Sequence, residues 1–188
     1  MGLKLISNAV ILVWIISEIA LAMFKKSSLT TSRQDKSSLR LIWITIVLCI
    51  ASAVLVGISR HGAMHVESHT IPEIGLAMIV AGLVIRWIAI VTLWRYFTVA
   101  VTIADDHRLI TQGLYGIVRH PSYTGSILSF IGLALTFSNW YSLAIVVIPI
   151  TTAFMYRIKV EESALLEFFG EQYREYALKT KRLIPMIY

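Results

Sequence analysis

Charge is what this 188-residue sequence has least of: Asp, Glu, Lys and Arg make up 15% of it, against roughly 25% in soluble domains. So few ionic side chains cannot cover a water-facing exterior, which excludes a disordered tail and a highly solvated surface domain. Cysteine is nearly absent as well. The single thiol, Cys49, has no second one with which to form an intramolecular disulfide or a CxxC metal or redox site, and it reads as a small apolar filler. Ten glycines carry no collagen-like period. What the sequence has instead is apolar mass, 57% of its residues, with a mean hydropathy of +0.74. A polytopic membrane protein is the class that remains.

A bilayer core about 30 Å thick takes roughly 20 apolar residues as helix, because every backbone polar group must be satisfied internally. Five stretches qualify as spans: residues 3–24, 39–59, 73–94, 122–137 and 140–156. The third starts just after Pro72. Only Ser138 and Asn139 separate the last two, which predicts a tight helical hairpin. The fold expected is an all-α integral membrane protein of five transmembrane helices, a single membrane domain over 1–188. Residues 1–94 form its three amino-terminal spans, and 95–188 its cofactor-binding and catalytic half.

A net charge of +6 raises the question of nucleic acid, and the placement of the basic residues answers it. On the five-span layout, fourteen of the seventeen Lys and Arg fall on one side, with Lys4 and Arg60 opposite and Arg86 inside the third span. That asymmetry is the positive-inside signature of a membrane protein, so no nucleic acid partner is expected. It predicts an integral protein of the cell (inner) membrane, amino terminus outside and carboxyl terminus inside. Ala20-Leu21-Ala22 resembles a signal-peptide cleavage site, but cleavage there would send the basic run Lys25 to Arg40 across the membrane.

Gly125, Ser129 and Gly132 fall at i, i+4 and i+7 on the fourth span and mark a face for close helix approach. Pro149 is expected to kink the fifth. From Glu161 to Thr180, Leu165, Phe169, Tyr173 and Tyr176 share one face, with Glu167, Glu171, Arg174 and Glu175 away from it. This predicts a cytoplasmic amphipathic helix lying along the membrane interface.

Polar chemistry concentrates in two cytoplasmic places: Asp105 to Tyr123, and the exit of the fifth span with Arg157, Lys159, Glu161 and Glu162. A hairpin returns both ends to the same side, so Arg119-His120 should lie near Arg157 and Glu161. The last two, spaced i, i+4, can act on one ligand. Cations, carboxylates, imidazoles and phenols beside lipid suit a ligand with a polar reactive end and an apolar tail. The competing interpretation makes the arginines topology anchors and His120-Pro121 a plain helix start.

Taken in order, Asp106-His107-Arg108-Leu109-Ile110, Gly113-Leu114-Tyr115, Arg119-His120-Pro121-Ser122-Tyr123-Thr124-Gly125, Arg157 and Glu161-Glu162 resemble the isoprenylcysteine carboxyl methyltransferase family. Phe169-Gly170-Glu171-Gln172-Tyr173, Tyr176 and Arg182-Leu183-Ile184-Pro185 extend the likeness. It covers the half from Arg95 onward; the first three spans match in hydropathy only. The resemblance implies an integral membrane enzyme that transfers methyl from S-adenosylmethionine without a soluble Rossmann domain. It implies that His107, Arg108, Leu109, Ile110, Tyr115, Arg119, His120, Pro121, Ser122 and Tyr123 hold this cofactor, with Glu161 and Glu162 completing the pocket. Arg157 would bind the carboxylate of a lipophilic substrate, and Arg157 and Glu161 would form the catalytic pair. Where the family tends to place a polar cofactor contact, this chain has Val99-Ala100-Val101. A carboxylate of pKa near 4 is ionised at pH 7 and attacks a sulfonium methyl without a general base.

Two other enzyme and non-enzyme alternatives compete: N-methylation of an amine-bearing lipid headgroup, with His120 or Glu162 as base, and a non-enzymatic scaffold subunit held to anionic lipid. Arg86 and Glu18 lie within spans, about 12 Å and 9 Å from the cytoplasmic ends by helix rise. Such groups rarely stay unpaired, so an ion pair between the first and third helices is expected, the rival being that Arg86 reaches the substrate cavity. His61, His65 and His69 have zinc-compatible spacing. They sit in a short connection broken by Gly62 and Pro72, and are read as loop histidines rather than a metal site.

Overall fold

The computed structural model describes residues 2–24, 33–59, 61–64, 70–97 and 108–188. Among these there is no strand, and six helices carry the fold: α1 (Gly2–Phe24), α2 (Arg33–Ser59), α3 (Thr70–Leu93), α4 (Pro121–Thr136), α5 (Trp140–Phe169) and α6 (Glu171–Lys179). Short 3-10 turns occupy Trp94–Tyr96 and Gly113–Gly116. Helix α3 starts two residues ahead of Pro72, which sits in the first turn, where a missing N–H costs no hydrogen bond.

The amphipathic helix expected from Glu161 to Thr180 is two pieces, and the first belongs to α5. No Gly or Pro interrupts the chain between Pro149 and Gly170, so α5 runs on for 30 residues, about 45 Å of helix. Pro149 lies within it without ending it. Gly170, at φ +54°, adopts the left-handed backbone that glycine tolerates and turns the chain into α6. Glu161 and Glu162 therefore ride on the same rigid rod as the apolar stretch.

Small residues set the closest packing. A Cβ on Gly75 would lie 2.5 Å from the carbonyl oxygen of Gly132, and one on Gly125 would lie 2.5 Å from that of Gly82. Gly125 and Gly132 are two of the three residues expected to mark a face for close approach, and α3 is their partner, running antiparallel. Phe130 packs at a tilt against Phe154 and Tyr123 meets Glu161, so α4 and α5 also run in opposite directions. Helix α2 pairs with α5 through Ser142 Oγ donating to the Ala53 carbonyl and Arg157 donating to Ser38. Helix α1 leans mainly on α3. Asn139 caps α5 by accepting from Ser142 N at 3.0 Å, and its amide donates to the His61 carbonyl at 2.7 Å.

Among the described residues three helices are long and apolar enough to cross a membrane: Ser37–Ser59 within α2, α3, and α5. Helix α1 has a shorter apolar stretch, Leu5–Leu21, and α4 has 16 residues. The most apolar window of α2 is only 17% buried within the protein, and Val47, Leu55 and Ile58 stand more than 60% exposed. Apolar surface left bare on this scale needs a hydrocarbon solvent. The protein is an integral membrane protein.

Candidate functional site

The site forms where α4 begins. Pro121 opens the helix at a position whose N–H would have no helical partner. The two preceding amides are taken by the carboxyl-terminal tail: Arg119 N donates to Lys181 O at 2.7 Å and His120 N to Arg182 O at 3.0 Å. Thr124 Oγ1 donates to Leu183 O at 2.8 Å, and Tyr176 hydroxyl to Tyr115 O at 2.7 Å. The tail thus straps the Arg119-His120-Pro121 turn in place.

Glu162 is the electrostatic centre of that strap. Its carboxylate accepts from Arg119 Nε at 2.9 Å and Arg182 Nε at 2.8 Å, and lies 3.3 Å from His120 Nε2. Arg119 also donates to the carbonyls of Ala177 and Thr180. Neighbouring Glu161 points elsewhere and accepts from the Tyr123 hydroxyl at 2.8 Å. His120 and Tyr123 stack at 5.7 Å.

Beside this turn lies a cavity of about 410 Å³, mostly apolar in its walls and reached by every helix. Of the residues expected in the site, Arg108, Leu109, Ile110, Tyr115, Arg119, His120, Ser122, Tyr123, Arg157 and Glu161 line it. Pro121 is buried behind the wall, and Glu162 is engaged with Arg119, Arg182 and His120. His107 and the Val99-Ala100-Val101 stretch lie outside the described residues, as do His65 and His69. Arg157, 1% exposed, donates to Ser38 Oγ at 2.7 Å. One helical turn along α5 is Glu161, so the i, i+4 pair does converge on a single space.

Arg86 joins both of its expected roles. Its Nη2 donates to Glu18 Oε2 at 2.8 Å and its Nε lies 2.7 Å from Oε1. Its Nη1 donates to Ser126 Oγ at 2.5 Å and Ser122 Oγ at 3.1 Å. The pair ties α1 to α3 and to the first turns of α4, and both residues line the cavity.

Several lining residues had no site role in the sequence reading. Leu165, Phe169, Tyr173 and Tyr176 turn towards the cavity, with Tyr173 and Tyr176 buried, where the sequence reading put this face on the membrane interface. The 3.6-residue period was visible; which apolar surface it covered was not. Burial pushes the Tyr115 and Tyr173 phenols well above their usual range and that of Tyr176 to about 12. All three are neutral hydroxyls at physiological pH. Trp14 and Trp43, which line the cavity, and Ser38, which reaches Arg157, carry no local sequence signal that separates them from other span residues.

Residues 75–167 match the model of the isoprenylcysteine carboxyl methyltransferase family. A probable protein-S-isoprenylcysteine O-methyltransferase of Oryza sativa subsp. indica is 39% identical over 116 residues, 61% of this chain and 61% of that protein. Protein-S-isoprenylcysteine O-methyltransferase B of Arabidopsis thaliana is 37% identical over 119 residues, covering 62% and 60%. The chain thus spans about three-fifths of the length of these two curated relatives. The solved structure of a eukaryotic intramembrane Ras methyltransferase, an isoprenylcysteine carboxyl methyltransferase, aligns at a TM-score of 0.65 and 30% identity, covering 75% of this chain and 52% of that one. The ordered run from Arg119 to Glu162, which resembles the isoprenylcysteine carboxyl methyltransferase family, lies within the residues that match that family's model.

Proposed function

We propose that this protein transfers a methyl group from S-adenosylmethionine to the carboxylate of a lipophilic, isoprenylcysteine-like substrate within the membrane. The observation that carries the reading is a buried guanidinium, Arg157, facing the same cavity as Glu161, Tyr123 and His120. An arginine fork recognises a carboxylate through two parallel hydrogen bonds. The cofactor would supply an electrophilic methyl on a sulfonium, leaving as a neutral thioether once the carboxylate oxygen has taken the methyl.

The donor set suits that group. Leu109, Ile110 and Tyr115 offer apolar and flat surface for an adenine, with Arg108 beside them. His120, Ser122 and Tyr123 supply polar contacts, and Glu161 supplies a negative charge for the cationic end. His107, Arg119, Pro121 and Glu162 complete the proposed set, the last three by holding the turn in shape. The chain's own work is orientation and exclusion of water. Ser38 steadies the Arg157 fork, and the apolar wall keeps the carboxylate from being blunted by solvation.

In the proposed topology all five long helices cross the bilayer, with α4 and α5 as a hairpin. The amino terminus is outside, the cofactor side faces the cytoplasm of an inner-membrane protein, and the tail enters from the bilayer. Amine methylation fits less well, because it needs a base and the Glu162 carboxylate is already spent on Arg119, Arg182 and His120. A labelled-methyl assay on lipid extracts decides the chemistry: esters release labelled methanol in alkali and N-methyl groups do not. S-adenosylhomocysteine binding is expected to fall in His120→Ala, while Arg157→Ala mainly loses turnover or substrate affinity. A scaffold subunit would bind none in any form.

A further inference from the structure

We infer that residues 179–188 form a docking surface for anionic phospholipid, and that the bilayer, by holding this tail down, tightens the turn that the tail straps. The surface lies outside the cavity. Its effect on cofactor affinity rests on the methyl transfer proposed above.

Composition changes along α6. Glu171, Arg174 and Glu175 stand exposed in its first turns, whereas residues 176–188 contain no acidic side chain and three basic ones, Lys179, Lys181 and Arg182. Both lysines are exposed. Beyond them the chain closes on itself: Leu183 N and Ile184 N donate to Tyr188 O at 2.7 and 2.8 Å, and Ile187 N to Ile184 O at 3.2 Å. Met186 takes φ +64° there, a left-handed backbone that side chains of its kind seldom adopt. The closed turn leaves Met186 91% and Ile187 75% exposed, with Ile184 half bare. An apolar tip following two bare lysines, with no acid among them, is the pattern that inserts at the headgroup boundary of an anionic leaflet.

Position names the occupant. Leu183 O accepts from Thr124 Oγ1 at 2.8 Å, and Lys181 O and Arg182 O from the amides of Arg119 and His120, so the tip stands at the His120 end of α4. Thr124, Leu128 and Ile131, spaced i, i+4 and i+7, form a half-buried face of that helix. They lie apart from Gly125 and Gly132, which pack on α3, and from Tyr123 and Phe130, which meet Phe154 of α5. In an integral membrane protein that face is left to lipid, and the tail continues it. Helix α4 has 16 residues, about 24 Å of rise against a hydrocarbon core of about 30 Å. On the proposed topology the tip adds apolar surface at one end of a span that falls short.

Arg182 links the tip to the clamp. Its Nε donates to Glu162 Oε2 at 2.8 Å and its Nη1 to the Tyr188 hydroxyl at 3.0 Å, with the guanidinium 5.4 Å from the Tyr188 ring centroid. A tip seated in lipid thus fixes Tyr188, then Arg182, and through Glu162 the Arg119-His120 turn. The strapped turn is the form that holds cofactor, so anionic lipid, which favours that form, raises cofactor affinity.

The test places the full chain in nanodiscs of phosphatidylcholine, alone or mixed equally with phosphatidylglycerol. A fluorescent label on Met186→Cys, in a Cys49→Ala background that removes the one native thiol, should be quenched by nitroxide-bearing lipid and shielded from aqueous iodide. A label on Glu175→Cys should show the reverse. S-adenosylhomocysteine should bind wild type about fivefold more tightly in the anionic discs, the effect of about one basic residue at such a surface, and Lys179→Gln/Lys181→Gln should bring the ratio to about one. A Met186→Cys label that iodide reaches and lipid does not quench overturns the docking surface. So does a label shielded from both quenchers in a protein whose dimer Met186→Asp dissolves, because a second copy then covers the tip. Equal wild-type affinity in both discs, or an undiminished ratio in the double lysine variant, overturns the control of the site. If the labelled variants fail to fold, the wild-type ratio and its loss in the lysine variant still decide. An inserted tip on a chain that binds S-adenosylhomocysteine in neither disc upholds the docking surface and refutes the proposed methyl transfer, a separate result.

Discussion

Replacing Glu162 by Gln changes no atom of the cavity lining and removes one negative charge from the strap beneath it. Three cationic or imidazole groups meet this carboxylate. Arg119 and His120 have side chains 10% and 4% exposed, whereas Arg182 is 33% exposed. A hydrogen bond to a charged group contributes about 1.5–3 kcal/mol and a neutral one about 1 kcal/mol. Gln retains one neutral acceptor, so the loss over the two buried partners comes to about 2–3 kcal/mol, with little from Arg182, which solvent screens. At about 2–4 °C per kcal/mol for a chain of this size, the thermal midpoint in detergent should fall by about 5–10 °C. Arg119 keeps its bonds to the Ala177 and Thr180 carbonyls, so the turn loosens chiefly at His120. If about 1 kcal/mol of that loss reaches the liganded state, S-adenosylhomocysteine affinity falls about fivefold. Thermal unfolding and calorimetric titration read both numbers. A Glu162→Gln protein that melts within a degree of wild type and binds equally well refutes the assignment of Glu162 as the clamp.

Two further outcomes follow from single contacts. Ser38→Ala removes the acceptor for Arg157 Nη1 and is expected to raise KM for a lipid carboxylate about three- to tenfold, from a bond of about 1 kcal/mol, with cofactor affinity unchanged and Ser38→Thr restoring the wild-type value. Tyr176, held at about 12 against an ordinary 10, stays protonated in the folded protein while the unfolded chain ionises. Its contribution is intact below pH 10 and lost between pH 10 and about 12. The thermal midpoint of wild type should decline across that window, and Tyr176→Phe should decline less steeply from a lower starting value, having lost the bond to Tyr115 O; parallel curves would refute this.

The polar half of the site was legible because its signals are local. Pro121 marks a helix start, Arg157 and Glu161 are one turn apart, and Gly125 and Gly132 announce close packing; each inference needs only positions on one element. The end of α5 was not legible in the same way. An apolar-to-polar change after Tyr156 marks where lipid ends and not where the helix ends, and only Gly170 stops the backbone. The facing of Tyr173 and Tyr176 was misjudged for a related reason. A bilayer and a lipid-binding cavity are both apolar, so the periodicity of a helix shows that it has an apolar face and leaves open which of the two receives it. Trp14, Trp43 and Ser38 are the limiting case. Their position depends on which helices α1 and α2 lie against, and that depends on matching surfaces far apart in the chain.

The part of the chain that matches the family, residues 75–167, supplies Arg157, Glu161 and the His120 turn, whereas α1 and α2 lie outside it. Those two helices nonetheless furnish much of the cavity's apolar wall, with Trp14, Ile15, Ile42, Trp43 and Ile46. Helix α1 leans mainly on α3, whereas α2 packs closely along α5, and Glu18 and Ser38 are where each reaches the polar side chains of the site. Chemistry that needs a fixed guanidinium and carboxylate is best built on α4 and α5, whose ends are strapped by the tail. Selection among tails needs only apolar surface of the right width, which can change without moving a charge. On the proposed reading, the reaction is set by the family segment, and the choice of lipid is set by two helices that lie outside it.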